Sequence, residues 1–545
     1  MSVVQRFKNK ILSNSSMSES ALYDNIKNLL KVDGKTIYVG ELLSQAAKKY
    51  PYTKALICCG KSVTYKELFF RSLLLSKKLK SLEVQPRDRV FLLFENSIEF
   101  YIAYFAILQV GAICVPLNTF LHEKELESIV NDSKPKAAIA SSSLKGKLEG
   151  IKNKDSNVLQ HILGEEDIDW EAPVPGSIEL VHSDFKVETL SEDEVCLLLY
   201  TSGTTGEPKG VMLSSKNIIS NTIQSISRLG MHMKLKDAFK PNTVFKERFF
   251  AALPLFHVFA QNVCIWFPIT MGGTVIIVPK IDRREILEGL KHKPTLFSGV
   301  PALFGLLCLM KTAPLDSVKL FVSGGDAMTD KIRCAFSMVY GRKICAGYGL
   351  TEASPVVAVN IENREKSTSV VGVPLMGIEC DVRRDSGESA DSNEIGTLWI
   401  RGDNVMLGYY NSPEETAKVL KDGWLNTGDL ARLDKELLEV IGRSKDLIIH
   451  KGFNIYPQEI ENVLLSHPAI FKAAVVGRED ATSGQVPVAF VAAKLDDEGV
   501  ESRLKAFCSD HLAGYKIPRK FIIMDDLPLG ATGKIDKKKL LSENQ

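Results

Sequence analysis

The sequence predicts an α/β protein: a large N-terminal domain built of α/β subdomains with mostly parallel sheets, and a small C-terminal α/β domain. Three observations carry this reading. The chain has 545 residues, more than one compact core organises, so two or more domains are expected. Short apolar runs alternate with capped, helix-patterned stretches, the sequence form of parallel strands with helices on their faces. A short charged segment, Gly442-Arg443-Ser444-Lys445-Asp446, interrupts strand-like runs on either side, as exposed domain boundaries do. Apolar residues make up 45%, charged residues 25%, and the net charge is +2, an ordinary globular balance with no global pull toward nucleic acid. Ten cysteines are scattered, Cys58 and Cys59 adjacent and no Cys-x-x-Cys present. That fits reduced thiols in a cytoplasmic setting better than a disulfide framework or a zinc site.

Residues 1–36 form a poorly defined N-terminal extension. It starts basic, but no apolar h-region follows, so no secretory signal is expected. Val4, Phe7 and Ile11 fall at helical spacing beside Arg6, Lys8 and Lys10. This leaves weak peripheral membrane contact open beside the plainer reading of a frayed terminus. Glu41–Tyr50 reads as a helix. Thr64-Tyr65-Lys66-Glu67 is a capping box opening a helix that runs to about Leu82. Val90–Phe94 reads as a buried strand, Asn96 with Glu99 three residues later as the cap of a helix stopping near Gly111. Ile113–Leu117 is strand, Glu123–Asn131 helix and Ala137–Ala140 strand. Glu192, Asp193 and Glu194 read as a solvated edge.

Tyr200–Gly210, Tyr-Thr-Ser-Gly-Thr-Thr-Gly-Glu-Pro-Lys-Gly, packs three glycines, four hydroxyl residues besides the tyrosine, and one lysine into eleven positions. Glycines let several N–H groups face one point, hydroxyls add donors and Lys209 a full charge, which suits a polyphosphate. No Gly-Lys-Ser/Thr closes the loop, so it is not a Walker A motif. Phe249–Pro279 lacks charged side chains over a membrane-length tract, but Pro254, Pro268, Gln261, Asn262 and Gly272-Gly273 favour buried strand, helix and strand. His257 sits on this apolar stretch, where a core histidine is the plain alternative to a functional one. Lys319–Val322 is a strand ending in Ser323-Gly324-Gly325-Asp326, where open α/β sheets bind flat ligands. Lys343–Cys345 is a strand leading into Gly347-Tyr348-Gly349-Leu350-Thr351-Glu352, with Tyr348 placed for stacking and Glu352 a natural Mg²⁺ ligand. In Trp424-Leu425-Asn426-Thr427-Gly428-Asp429 the carboxylate of Asp429 suits the hydroxyls of a ribose. Lys534 follows a glycine-rich turn, Pro528–Gly533, and Lys537, Lys538 and Lys539 follow it on a helix as a solvated face.

The Tyr200–Gly210 stretch resembles the phosphate loop of the adenylate-forming enzymes, the superfamily of acyl-CoA synthetases, adenylation domains and luciferases. Thr64–Leu68 and Gly111–Asn118 are similar to stretches of that family's first subdomain, and its later motifs occur in order up to Asp536. Around Leu253–Asn262 the chain looks most like the long-chain fatty acid–CoA ligases. The resemblance implies ATP binding through Thr201, Ser202, Gly203, Thr204, Thr205, Gly206 and Lys209, and adenine contacts at Gly325, Asp326 and Tyr348 with Gly349 beside them. It further implies a phosphate contact at Thr351, Mg²⁺ at Glu352, ribose at Asp429, and ribose or phosphate at Arg443. His257 would lie beside the substrate carboxylate and Lys534 would be the catalytic lysine. A hinge at 443–446, with Lys445 as pivot, would divide a large domain, 37–443, from a small mobile one, 444–545. Rotation there would bring Gly452 to the thiol-acceptor channel. Leu529 stands where the family often has a polar residue.

The function this implies is ATP-dependent activation of a medium-to-long-chain fatty acid to an acyl-adenylate, then thioester formation with CoA. The apolar stretches Val258–Pro268 and Gly299–Leu309 suggest walls of an acyl tunnel. The same adenylation chemistry serving an acyl carrier protein is one alternative, and a non-catalytic nucleotide-binding scaffold is another. An amino acid activator would want a carboxylate near Ala252–His257 for the substrate amine, and none is there.

Overall fold

The computed structural model describes residues 18–32, 34–154, 159–174, 187–202, 208–233, 245–361, 369–451, 453–480, 484–493, 499–529 and 535–542. Three main sheets organise them. The first has seven strands, in the order Gly408–Tyr409, Pro208–Ser214, Val195–Ser202, Ile113–Pro116, Arg89–Leu93, Ala137–Ala140 and His161–Leu163. Pairing is parallel from Val195–Ser202 to His161–Leu163 and antiparallel at the phosphate-loop end. Both faces of Arg89–Leu93, the middle one of the five parallel strands, are buried: Val90 and Leu92 join one apolar cluster, Phe91 and Leu93 another. That is the period-2 signature of a parallel strand covered on both sides.

The second sheet is a long mixed one whose parallel section runs Lys54–Cys58, Thr274–Ile277, Arg248–Ala251, Leu296–Gly299, Leu320–Ser323 and Cys345–Gly349. It continues through antiparallel strands to Trp424–Asp434 and Leu437–Arg443. Here too the residues alternate: Phe249, Ala251, Val275, Leu296 and Leu320 face the cluster shared with the first sheet, and Phe250, Ile276, Phe297 and Phe321 face a second one. Between the sheets lies the helix Ile98–Gln109, every residue of it buried except Glu99 in its first turn, as a helix apolar nearly all round must be. The tract Phe249–Pro279 is a parallel strand–helix–strand unit, with Phe249 opposite Val275, and a π-helical turn at Asn262–Trp266. No helix among the described residues is long and apolar enough to cross a membrane.

The third sheet has five strands, Phe453–Ile455, Ile448–His450, Gly484–Ala493, Ile470–Asp480 and Lys520–Met524. Ala473, Val475, Ala489 and Val491 pack under the helices Pro457–Ser466 and Val500–Ser509. Their neighbours Ala474, Val476, Val488 and Phe490 pack on the other face with Leu527 and Leu540. This C-terminal unit thus has its own two-sided core, and the chain is an α/β protein with a large N-terminal and a small C-terminal domain.

The capping box at Thr64 forms as expected: Thr64 Oγ1 accepts from Glu67 N at 3.2 Å and Glu67 Oε2 accepts from Thr64 N at 2.7 Å. Three expectations need correction. The cap of the central helix is Ser97, whose Oγ accepts from Phe100 N at 3.1 Å, and not Asn96. Asn96 is buried and holds a distant loop, donating to Leu253 O at 2.9 Å and accepting from Leu255 N at 2.9 Å. A neighbouring serine caps as well as an asparagine does, so local spacing hid a long-range partner. The strand expected over Lys343–Cys345 instead spans Cys345–Gly349, where it gains an antiparallel partner in Val356–Val359. Glu194 is not simply a solvated edge: it takes a bidentate ion pair from Arg87.

Candidate active site

The site gathers where strands of the two large sheets end. Thr201 and Lys209 are cross-strand partners on the antiparallel pair that delivers the glycine-rich loop. Ser202 closes its strand, and Gly203, Thr204, Thr205 and Gly206 lie outside the described residues, as do Gly452 and Lys534. The Lys209 ammonium pairs with Glu415 Oε2 at 2.5 Å and sits 5.4 Å from the Tyr409 ring centre. Glu415 stands in the first turn of the helix Pro413–Val419 and also pairs with Lys418, one turn on. Bonds from Lys209 and then Lys418 hold its carboxyl down at about 2, so it is an anion at neutral pH.

Tyr409 is fixed from two sides. Its strand pairs with Val211 and Met212 next to the loop, and its N–H donates to Thr416 Oγ1 at 2.9 Å. Its hydroxyl donates to Glu352 Oε1 at 2.9 Å. Burial, and then the Glu352 charge, push the Tyr409 hydroxyl far above its ordinary range, so it stays a donor. Thr351 and Glu352 begin a single 3-10 turn directly after the strand Cys345–Gly349. Gly349 is required there: a Cβ would lie 2.0 Å from Pro355 O.

A second cluster lies beside the first. Asp429 and Arg443 face each other across antiparallel strands, and Arg443 Nε meets Asp429 Oδ1 at 2.9 Å. The other oxygen, Oδ2, accepts from the Tyr348 hydroxyl at 2.5 Å. Asp429 is only 6% exposed in its side chain, and both oxygens are met by donors, which is how a buried carboxylate stays charged. Burial and Asp429 together push the Tyr348 hydroxyl well above its usual range. Burial opposes the Arg443 charge, but Asp429, Tyr348 and Glu352 overcome that. Arg443 thereby links the two clusters electrostatically. The Tyr348 hydroxyl is thus tied to Asp429.

Gly325 adopts a φ of +82°, a conformation that favours glycine, and a Cβ on Gly324 would lie 3.2 Å from the Phe259 ring. The turn after Leu320–Ser323 therefore sits on the helix that His257 precedes. Asp326 is exposed and accepts from Ala327 N at 2.9 Å. His257 occupies the N-cap position of Val258–Gln261, its ring 4.5 Å from that of Phe256. Val263–Phe267 are at most 1% exposed and belong to the core, whereas Leu309, offered as a tunnel wall, is 80% exposed and faces away from the interior. Lys445 lies in the 3-10 turn Ser444–Asp446, and burial lowers its ammonium from its ordinary value.

The structure thus brings together Thr201, Lys209, Glu352, Tyr348, Asp429 and Arg443, with Gly325 and His257 on the adjoining apolar side. Tyr409 and Glu415 were not anticipated. Their only signal was Gly408-Tyr409-Tyr410 followed by Ser412-Pro413-Glu414-Glu415, which reads as an ordinary helix start with proline and acids in its first turn. Glu352 suits a hard cation by its oxygen donors. Among the described residues no group of three or more His, Cys, Asp or Glu could enclose a metal ion, so an ion held by Glu352 needs phosphate or water oxygens for the rest of its shell.

The model of the AMP-binding enzyme family matches residues 43–410, and that of the AMP-binding enzyme C-terminal domain matches residues 459–534. A long-chain-fatty-acid–CoA ligase of Bacillus subtilis is 33% identical over 95% of this chain and 96% of its own length. One from Haemophilus influenzae is 31% identical over 92% and 94%. Among solved structures, o-succinylbenzoate CoA synthetase from Bacillus subtilis, in complex with the acyl-adenylate intermediate, superposes with a TM-score of 0.81 at 29% identity, covering 92% of this chain and 97% of that one. The same protein has been solved with ATP and magnesium ion.

Proposed function

The chain belongs to the AMP-binding enzyme family, and from that premise we propose that it activates a medium-to-long-chain fatty acid with ATP and transfers the acyl group to CoA. The observation that carries this is the convergence of Lys209, Glu352, Tyr348, Asp429 and Arg443, from separate stretches of the chain, through Tyr409 and one cross-strand ion pair. That constellation offers cationic and carboxylate groups gathered in one cluster, which suits a nucleoside polyphosphate. The curated relatives named as long-chain-fatty-acid–CoA ligases support the acid and the acceptor.

In this reading the acid's carboxylate oxygen attacks the α-phosphorus of ATP, forming the acyl–phosphate bond and releasing pyrophosphate. The thiol then attacks the acyl carbon, the thioester forms and AMP leaves. Asp429 accepts from the ribose hydroxyls, Gly325, Asp326 and Tyr348 flank the adenine, with Gly349 beside them, and Arg443 reaches ribose or phosphate. The loop from Thr201 to Lys209, with Thr351, holds the β- and γ-phosphates. Glu352 is the residue that would hold Mg²⁺, which when bound offsets polyphosphate charge. Lys534 stabilises the charge that develops as the carboxylate attacks, and a donor in that position is worth about 3–4 kcal/mol, or 10²–10³ in rate. His257 lies on the acid side. The boundary at 443–446, pivoting at Lys445, separates domains 37–443 and 444–545, and rotation there brings Gly452 toward the thiol.

The test is pyrophosphate release with Mg-ATP across acids of increasing chain length, with CoA, with an acyl carrier protein, and with neither. CoA-accelerated release peaking at medium-to-long chains is expected. Acceleration by the carrier protein alone would reassign the acceptor, and no release with any acid would remove the enzymatic reading.

A further inference from the structure

Lys209 is the cation of the phosphate loop, yet its ammonium already has a partner of full opposite charge in Glu415, at 2.5 Å. The pair is sheltered: the side chains are 17% and 30% exposed. Glu415 in turn has a second cation, Lys418, bonded to its other oxygen from the same helix and itself 67% exposed. The helix bearing both is seated against the strand of Tyr409, where Thr416 Oγ1 binds Tyr409 N at 2.9 Å. A carboxylate within bonding distance of a phosphate-binding ammonium opposes an arriving anion in two ways: it occupies one of the ammonium's donors, and its charge offsets the ammonium's attraction for the anion. One residue can therefore set how tightly this loop takes a polyphosphate.

We propose that Glu415 is a positioning residue that competes with the polyphosphate of ATP for Lys209, and that Lys418 receives its charge when Lys209 is handed over. The proposal rests on the nucleotide reading above. It explains why a single carboxylate is shared between one sheltered and one exposed lysine: the sheltered one goes to the ligand, and the exposed one keeps Glu415 compensated. The Tyr409 ring, 5.4 Å from the ammonium, keeps a favourable face beside Lys209 throughout the exchange.

The test compares binding of ATP, pyrophosphate and AMP by the full chain and by two variants with opposite expected signs. Glu415→Gln removes the competing charge and should tighten ATP and pyrophosphate by about threefold to fivefold, the scale of a partly exposed ion pair. Lys418→Met leaves Glu415 with Lys209 as its only cation in this group and should weaken both ligands about twofold to threefold on the same scale. AMP, which lacks the β- and γ-phosphates, should bind all three proteins alike. A merely structural role would shift AMP together with ATP, and both variants in the same direction. Either result, or an unchanged or weaker pyrophosphate affinity in Glu415→Gln, would overturn the proposal while leaving the nucleotide reading intact. Failure of the unaltered chain to bind either ATP or pyrophosphate would overturn both.

Discussion

The side proposed for the nucleotide and the side proposed for the acid are built on opposite principles. On the nucleotide side, charged and hydroxyl groups are bonded to one another: Asp429 with Arg443 and Tyr348, Glu352 with Tyr409, Lys209 with Glu415. On the acid side, the walls are core: Val263–Phe267 are almost wholly buried, Phe259 backs Gly324, and the loop Leu253–Leu255 hangs from the Asn96 amide. The first kind of site depends on residue identity and fails when one partner is removed. The second depends on shape, which many apolar sequences supply equally well. On the proposed function, chemistry common to every reaction of this type sits in the first, and choice of acid in the second.

The contrast can be broken most severely at Lys534. Lys534→Ala should lower acid-dependent pyrophosphate exchange about 10²–10³-fold with ATP binding kept, and unchanged exchange would remove it from the chemistry. Next is Asp429→Ala, which leaves Arg443 and Tyr348 without their shared acceptor. Loss of about 1.5–3 kcal/mol in ATP affinity or stability is expected, toward the lower end because Arg443 is 48% exposed. Denaturant unfolding and ATP titration separate the two contributions.

How much was legible in advance follows the same divide. The polar motifs could be read because glycines, hydroxyls and charges at short spacing have few other uses, and the alternating apolar runs foretold the buried parallel strands. Asn96 was misread because a local helix cap and a long-range clamp look alike in sequence. Tyr409 and Glu415 were missed because their partners, Glu352 and Lys209, lie far away along the chain. The bond from the Tyr348 hydroxyl to Asp429 was not foreseen, because the two residues lie far apart along the chain. Long-range pairing is a property of the fold, and local spacing does not record it.

On the acid side, Asn96→Ala should cost about 1–3 kcal/mol of stability, since Leu253 O and Leu255 N lose a buried partner. It should alter kinetics toward the acid more than toward ATP; an equal effect on both would weaken the division between the two sides. Tyr409→Phe keeps the ring beside Lys209 and removes only the bond to Glu352. The KM for Mg-ATP should rise by the equivalent of about 0.5–1.5 kcal/mol, with the acid's KM unaffected. The smallest effect concerns the two domains. Lys331, on the helix Asp330–Tyr340, donates to Ile470 O at 2.7 Å in the C-terminal unit, and burial lowers its ammonium from its usual value. Lys331→Met should shift the ratio of adenylation to thioester formation by about twofold to threefold, within the range of a single net hydrogen bond. Equal change in both half-reactions would mean that this contact does not distinguish domain orientations.

The central claim is that one constellation of paired polar groups carries out acid activation with ATP. The most direct measurement is fatty-acid-dependent pyrophosphate release with Mg-ATP, with and without CoA, as chain length increases. The account predicts release that requires the acid, accelerates with CoA and is greatest for medium-to-long chains. Pyrophosphate release that is absent with every acid, in a protein that still binds ATP, would contradict it.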